Sequence, residues 1–367
     1  MKKILLLIVL LVMVLFVTAE AGDNPDNPNK GTWNFNPQKV WSIDTAGEES
    51  LAQINMIGVF DDGTLLVHDG KNKKYYIFDK DGNFKKSFGK RGEGPGEIKW
   101  ISQARFSLVN DKIIIGDMDK LHYFSKEGEF IKSVRNNMMQ RRPVVFLTEN
   151  EFIHAPLLRL DMGSKPSMIK RYNMETDTEK EIAAFPVFAG GVARSGGNVI
   201  AMVVMGLTPM MIVGYNDNTL YYGMNDSYAI NICDMDGKKI GQLKLDREPQ
   251  TVTETDKRSV FGNNSSDPKE MVEQIIKSMP DKACHFSNIE VHNGLIYVYA
   301  YQFNRKNKQQ IDIFSPDGTY LYKGLIQVDD GFTINANPVI KKDCLYLALE
   351  DQDGEVSVAK FKITMPK

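Results

Sequence analysis

Alternating apolar and polar residues flank a short Asp-Gly or Glu-Gly turn at four places along the chain. The alternation predicts strands, because successive side chains of a strand point to opposite faces of a sheet. A glycine in the turn can adopt positive φ, so each segment predicts an antiparallel β-hairpin and their recurrence predicts a repeat architecture. The four segments are YYIFDKDGNFKKSFG from Tyr75, LHYFSKEGEFIKSV from Leu121, YAINICDMDGKKIGQLKL from Tyr228 and QIDIFSPDGTYLYKGLI from Gln310.

Two further strands precede the hairpin in each repeat. They are INMIGVF and TLLVHD in the first repeat, ARFSLVN and KIIIGD in the second, and SNIEVH and LIYVYAY in the fifth. Weaker copies of the hairpin marker begin at Ser167 and Ser357, which brings the count to six repeats. Four short strands per repeat are typical of a propeller blade. The predicted fold is therefore all-β, a six-bladed β-propeller of four-stranded antiparallel blades.

The sixth repeat contains only three of the four strands. Its missing strand has a candidate near the other end of the chain, NPQKVWSID at residues 36–44. We expect this N-terminal strand to pair with FKITM of the last blade. Such pairing would close the ring and protect a sheet edge that would otherwise stay open.

The second repeat carries a more specific signature. The run FGKRGEGPGEIKWISQARFSLVNDKIIIGDMDKLHYFSKEGEFIKSV resembles an NHL-type repeat, with its Gly-Pro-Gly loop, inner strand, Asp-ended second strand and aromatic hairpin. As a whole, the chain after residue 21 is similar to the exported bacterial six-bladed β-propellers of the NHL and TolB-like group. The resemblance implies the fold but no particular activity, because propellers host many unrelated functions.

The N-terminal residues have the features of an export signal. Met1-Lys2-Lys3 is followed by an apolar run over residues 4–17 and by the small residues of Ala19-x-Ala21. We therefore expect a signal peptide at 1–21, with an uncleaved membrane anchor as the alternative. No Cys lies near the cleavage site, which argues against a lipoprotein. Residues 22–32, rich in Asp, Asn and Pro, are predicted to be a flexible linker, and 33–367 to be the propeller.

Composition narrows the classes of partner. The formal net charge is −2, so no basic surplus is present for binding nucleic acid. After cleavage of the signal, we expect no transmembrane segment, and the chain is predicted to be periplasmic or secreted. The three cysteines show no metal-binding spacing, and no catalytic motif or cofactor loop appears. We expect no cofactor.

The loops are distributed unequally between the two faces of the disc. Loops between blades and between second and third strands are long and emerge on one side, which we call the long-loop face. The opposite side carries tight turns, and we call it the turn face.

The largest insertion spans about 246–286, between blades four and five, and predicts an amphipathic helix at 268–279. It is either a lid that packs locally or a mobile gate or docking helix. The Gly- and Met-rich stretch 185–211 predicts an irregular crossing into blade four.

Candidate ligand contacts lie at or near the loops between second and third strands. Asp69 and Asp117 end second strands at matching positions, and their carboxylates could bind a cation, a ligand or the amides of their own loops. Histidine ligands for a metal are not expected, because His68 aligns with Gly116 and the other histidines lie in other strands. We predict no catalytic residue. The candidate ligand-binding residues are His68, Asp69, Asp117, Arg159 and Arg305.

The sequence favours an exported, non-enzymatic propeller that binds a protein, peptide or glycan on its long-loop face. The alternative is a metal-dependent hydrolase or lyase with a site near the propeller axis. The two hypotheses differ in whether ligand residues converge on that axis.

Overall fold

The structure of the chain is a computed structural model that describes residues 22–137, 141–155, 166–185, 192–195, 198–201, 207–259, 269–302 and 306–366. Among the described residues, six sheets of four or five strands form the blades of a propeller. The expected signal peptide at 1–21 lies outside the described residues.

The strands follow the chain in the order that the repeats predict. The N-terminal part contains β1 (Gly22–Pro25), β2 (Thr32–Asn34), β3 (Gln38–Ile43), β4 (Thr45–Ala46) and β5 (Glu49–Ser50). Blade one contains β6 (Ile54–Val59), β7 (Leu65–Asp69), β8 (Lys74–Phe78) and β9 (Phe84–Phe88). After a 3-10 turn at Ile101–Gln103, blade two contains β10 (Arg105–Val109), β11 (Lys112–Gly116), β12 (Lys120–Ser125) and β13 (Phe130–Arg135). Blade three contains β14 (Pro143–Thr148), β15 (Glu151–His154), β16 (Ser167–Asn173) and β17 (Thr178–Phe185).

The second half of the ring follows a small hairpin of β18 (Val192–Ser195) and β19 (Asn198–Ala201). Blade four contains β20 (Met211–Asn216), β21 (Thr219–Met224), β22 (Ala229–Asp234) and β23 (Lys239–Asp246). The helices α1 (Glu254–Ser259) and α2 (Lys269–Ser278) precede blade five, which contains β24 (Phe286–His292), β25 (Leu295–Ala300), β26 (Lys308–Phe314) and β27 (Tyr320–Gln327). Blade six contains β28 (Thr333–Ile334), β29 (Val339–Lys341), β30 (Cys344–Glu350) and β31 (Val356–Lys362).

The turns between third and fourth strands share one construction. In blade one the Asp79 carboxylate accepts hydrogen bonds from the backbone N–H groups of Asp81 (3.0 Å) and Asn83 (2.9 Å). Gly82 has φ 87°, a conformation that glycine adopts without strain. Asp234 makes the equivalent pair of bonds in blade four. The capping Asp lies two residues before the Asp-Gly pair, so this turn explains the capping Asp and the Gly of the Asp-x-Asp-Gly spacing in blades one and four.

Apolar side chains fill the space between neighbouring blades. Each blade offers alternate residues of its strands to the blade on either side, so the core continues around the ring. Blades six and one share a cluster with Leu65 and Val358, which shows that the ring is closed. The other junctions include Leu66 and Ile113, Tyr123 and Phe152, Ile153 and Leu220, Ile230 and Val298, and Ile311 and Leu347.

Closure uses the N-terminal strand, as predicted. β3 pairs antiparallel with β31 and forms the outermost strand of blade six, with Gln38 opposite Lys362 and Ile43 opposite Val358. Strands from both ends of the chain therefore share one sheet, and the backbone groups of β31 on that side are paired rather than exposed.

The segment before β3 differs from the flexible linker that we expected for 22–32. β1 pairs in parallel with β23, and β2 pairs in parallel with β27, so this segment runs along the outer edges of blades four and five. Asn24 holds it in place by donating to the carbonyl oxygens of Lys244 and Gly318 (2.9 Å each) and by accepting from Tyr320 N–H (2.9 Å). Polar contacts of Asn24 and apolar packing of Trp33 and Phe35 therefore both hold this segment to the ring.

The insertion between blades four and five contains the two helices. Ile275 and Ile276 of α2 are buried, and so is Met279, which directly follows the helix. All three belong to the predicted apolar stripe. Lys257 of α1 is also buried, and its ammonium group donates to Met279 O (2.8 Å) and to Asp281 Oδ1 (2.6 Å). Lys257 therefore links α1 to the segment that directly follows α2. Within the described ranges, neither helix is long and apolar enough to cross a bilayer.

Candidate functional site

Asp69 ends the second strand of blade one, and its carboxylate is fully buried. Its oxygens accept hydrogen bonds from the backbone N–H groups of Ala52 (2.7 Å), Gln53 (3.2 Å), Lys71 (3.0 Å) and Asn72 (2.9 Å). The first two donors precede blade one and the other two belong to the following loop. Asp69 therefore fixes two loops of the long-loop face, and little acceptor capacity remains for a ligand.

Asp117 has the equivalent structural role in blade two. Its carboxylate is buried and accepts from the backbone N–H groups of Lys99 (2.9 Å) and Met118 (2.6 Å). His122 lies near it, with Nε2 3.8 Å from Oδ2, while His122 Nδ1 is 2.9 Å from Ser133 Oγ. The described contacts favour the loop-anchoring alternative for both aspartates.

His68 lies at the junction of blades one and two. Its ring stacks on Tyr75, with centroids 4.5 Å apart, and neither ring nitrogen makes a well-formed hydrogen bond to a described protein group, although the Ile101 backbone lies close enough to favour the charged ring slightly. Burial lowers the pKa of His68 to about 4, so the imidazole is neutral at neutral pH. Buried in this way, His68 is not positioned to contact a ligand on the surface.

His154 corrects one expectation from the sequence. It ends β15, the second strand of blade three, and so occupies the same strand position as the residues at the end of β7. It is buried, with Nε2 3.4 Å from Glu179 Oε1, and burial lowers its pKa. In the described part of the chain, no three His, Cys, Asp or Glu side chains form a group that could hold a metal ion. Arg159 and Arg305 lie outside the described residues.

A pair of arginines was missed at the sequence level. Arg105 begins β10, and Arg142 immediately precedes β14. These are the innermost strands of blades two and three, so both arginines stand where a first strand leaves the long-loop face, at the mouth of the central channel. Neither forms an ion pair or a side-chain hydrogen bond with any described residue.

The surroundings of Arg105 and Arg142 are unusual for charged groups that have no partner among the described residues. Arg105 is exposed and Arg142 is half-buried, yet protein burial lowers the pKa of Arg105. Burial also lowers the pKa of Arg142 to about 10, and the positive charge of Arg105 adds to that effect. The two guanidinium groups are therefore close enough to repel each other.

Other arginines of the same region are paired. Arg141, next in sequence, donates to Glu179 Oε1 (2.8 Å) and lies over the Tyr172 ring, 4.3 Å from its centroid. Arg171 makes two hydrogen bonds with Glu151 (2.6 and 2.8 Å). The absence of a described carboxylate partner is thus a distinguishing property of Arg105 and Arg142, and it leaves their donors available to an anion.

A second polar cluster lies on the innermost strand of blade five. Glu290 Oε2 accepts from Tyr299 Oη (2.8 Å) and is 2.9 Å from His292 Nε2, while Oε1 accepts from Asn288 Nδ2 (2.8 Å). Both carboxylate oxygens have partners from blade five itself. This cluster is consequently a satisfied structural network, in contrast to the arginine pair.

The sequence signal that marks the arginines is their position relative to the strands. Each stands at the start of the first strand of its blade, in Ala104-Arg105-Phe106 and Arg142-Pro143. The candidate residues predicted from the sequence lie at loops between second and third strands, whereas these arginines lie at the starts of innermost strands. Blades two and three are consecutive, so matching arginines at these starts converge on one side of the channel.

Comparisons with known proteins agree with this architecture. The model of the DUF5128 family, described as "6-bladed beta-propeller", matches residues 39–188. A solved member of the DUF4221 family from Bacteroides vulgatus is similar in structure, with a TM-score of 0.53 and 12% identity over 89% of this chain and 97% of that chain. No curated protein matches the sequence.

A second solved structure is similar to the same extent. It is a protein of Bacteroides fragilis whose description provisionally assigns it to the exported proteins, with a TM-score of 0.53 and 14% identity over 95% of this chain and 99% of that chain. At such identities the likeness concerns the fold. The chain is a six-bladed β-propeller, as the resemblance of its repeats implied.

Proposed function

We propose that the chain is an exported, non-enzymatic propeller that binds an anionic group of a protein, peptide or glycan at the long-loop mouth of its channel. Arg105 and Arg142 are the binding residues in this proposal. The observation that carries it is the convergence of two guanidinium groups, neither with a carboxylate partner among the described residues, at the starts of neighbouring innermost strands.

The electrostatics of the pair explain why an anion would bind. Repulsion and burial both disfavour the two positive charges, as the lowered pKa of Arg142 indicates. A carboxylate, sulfate or phosphate placed between them would reverse both effects and could accept paired hydrogen bonds from each planar guanidinium group. Hydrogen bonds that involve charged groups contribute about 1.5–3 kcal/mol each, which is enough for a selective site.

Export is the second part of the proposal. It is supported by the apolar N-terminal run, by Ala19-x-Ala21 and by the description of the similar Bacteroides fragilis protein. In this proposal residues 1–21 are the signal and the mature chain begins at Gly22, at the start of β1. Intact-mass spectrometry of the protein from periplasmic and culture fractions tests it, and a retained Met1 in those fractions would contradict it.

The binding experiment uses the mature chain and an array of acidic and neutral oligosaccharides and peptides. We expect an acidic member to bind, and we expect Arg105→Ala and Arg142→Ala each to weaken that binding about tenfold or more. Arg105→Lys retains the charge but loses the planar donor pair, so its affinity should be intermediate. Increasing salt should weaken binding, because the contact is ionic and solvent-accessible.

Arg135 provides a matched control for these variants. It is an exposed arginine at the end of β13, the outermost strand of blade two, and it has no described partner. Arg135→Ala removes the same charge on the same face but away from the channel, so binding should persist. If the double variant of Arg105 and Arg142 binds as the wild type does, or if no acidic probe binds, the proposal is wrong.

Metal analysis of the purified mature chain tests the alternative of a metal-dependent hydrolase or lyase. A stoichiometric metal ion, retained after dialysis and lost together with a hydrolytic activity, would favour the enzyme. We expect binding of acidic probes to be unchanged by a chelator.

A further inference from the structure

Two large apolar side chains are exposed on the long-loop face of blade two. The side chain of Trp100 is 46% exposed and that of Met118 is 45% exposed. Trp100 belongs to the loop between blades one and two, and Met118 to the loop between β11 and β12. Exposing an indole and a thioether to water is unfavourable, so a ligand that covers them would gain from their burial.

Hydrogen bonds anchor the backbone at both residues. The buried Asp117 carboxylate binds Lys99 N–H, directly before Trp100, and Met118 N–H. On the other side of Trp100, its carbonyl oxygen accepts from the N–H groups of Gln103 (2.9 Å) and Ala104 (3.0 Å), and Ile101 is buried. One carboxylate therefore sets the positions of both loops, and the backbone around Trp100 is fixed by hydrogen bonds.

The same turn places Trp100 beside the arginine site. Because Ala104 N–H bonds to Trp100 O, the chain completes one tight turn, and Arg105 follows immediately. One such turn advances the backbone by only about 5–6 Å. Trp100, Met118 and Arg105 thus form one surface, which we call the blade-two rim.

We propose that the blade-two rim is a platform for a sugar ring and that the ligand is an acidic oligosaccharide, with its carboxylate or sulfate at Arg105 and Arg142. This proposal rests on the proposed function and names its ligand class. The flat apolar face of a pyranose ring can stack on an exposed indole such as that of Trp100, and a uronate carries its carboxylate at a fixed distance from that ring. A peptide side chain would instead favour an enclosed apolar pocket, whereas Trp100 remains almost half exposed.

The test titrates the mature chain with tetrasaccharides of galacturonate, of alginate and of hyaluronan. Their methyl esters serve as neutral controls, and tetraglutamate serves as an acidic probe without sugar rings. Tryptophan fluorescence reports the contact, since the indole N–H groups of Trp33 and Trp41 are bonded within the fold to Thr364 O and Lys80 O. We expect at least one acidic tetrasaccharide to change the fluorescence of the wild type and not that of Trp100→Phe.

The affinity for that tetrasaccharide should fall about tenfold in Trp100→Ala. Ile131→Ala removes an equally exposed apolar side chain from the outer strand β13 and should have no effect. If tetraglutamate binds through Arg105 and Arg142 and no tetrasaccharide depends on Trp100, the sugar platform is wrong while the arginine site stands. If no acidic probe depends on the arginines, both proposals are wrong.

Discussion

Arg247 and Asp312 join blades four and five through two parallel hydrogen bonds. Arg247 Nη1 donates to Asp312 Oδ2 (2.6 Å) and Nη2 donates to Oδ1 (3.0 Å). The hydroxyl groups of Tyr228 and Tyr320 also donate to the fully buried Asp312 carboxylate, at 2.7 and 2.8 Å. Arg247 Nη2 lies 2.5 Å from Asp26 Oδ1, so the N-terminal segment is connected to the same network.

We expect Asp312→Ala to lower the free energy of unfolding by about 3–5 kcal/mol, because it leaves a largely buried guanidinium group and two hydroxyl groups without their acceptor. Asp26→Ala should cost about 1 kcal/mol or less, because the Asp26 side chain is 35% exposed. Urea unfolding of the two variants measures the difference. Equal losses would show that the inter-blade pair does not dominate the network.

His68 is expected to make the fold sensitive to acid. Its pKa is about 4 in the folded chain, against 6.5 for an ordinary histidine. Above pH 6.5 both states are neutral, but between pH 6.5 and 4 the unfolded chain takes up a proton that the folded chain does not, so stability is lost as the pH falls. This contribution approaches about 3 kcal/mol near pH 4.

The variant His68→Phe keeps a ring against Tyr75 and removes two unpaired nitrogens. It should be neutral or stabilising at pH 7.5, and its advantage over the wild type should grow as the pH falls towards 4.5. Denaturant unfolding at several pH values gives this difference directly. Parallel pH profiles for the two proteins would refute a protonation penalty at His68.

Asp69 should be among the most sensitive polar positions of the long-loop face. Asp69→Ala leaves four backbone N–H groups without their acceptor, which should cost about 3 kcal/mol or more. Asp69→Asn retains one acceptor oxygen and should cost less. Asp81→Ala, at an exposed position of a turn-face loop, is the control and should change stability by less than about 0.5 kcal/mol. Thermal unfolding ranks the three variants.

Deleting residues 33–44 tests the closure of the ring. The deletion removes β3, which exposes the edge of β31 and removes the packing of the partly buried Trp41 and Ile43 against the cluster between blades six and one. We expect aggregation or a large loss of stability, observed by size-exclusion chromatography and thermal unfolding. A monomeric truncated chain with an unchanged melting temperature would contradict the role of β3.

The sequence predicts the blades well because their determinants are local. A side-chain-capped turn such as that of Asp79 and Gly82 lies within a few residues, and the alternation of the flanking strands is visible directly. The pairing of the N-terminal segment depends instead on Asn24 and Asp26, whose partners are distant in sequence. Asn and Asp are typical of turns and disorder, so composition alone indicated a linker.

The site was predicted less well than the fold. The sequence identified the aspartates that order the loops of the long-loop face, but a carboxylate that binds amides and one that binds ligand look alike in a sequence. Arg105 and Arg142 are 37 positions apart in the printed sequence, and only the propeller geometry brings the starts of β10 and β14 together. Their lack of carboxylate partners among the described residues is likewise visible only in the folded chain.

The pairing of β3 with β31 also affects how fast the ring can form. Gln38 is among the first residues of the propeller and Lys362 among the last, so their contact has almost the largest sequence separation that the chain allows. Contacts of high contact order form slowly, because the entropy of closing the intervening chain is lost before the contact contributes. Closure of blade six is therefore expected to be a late folding event, and the chain remains open until its final strand is available.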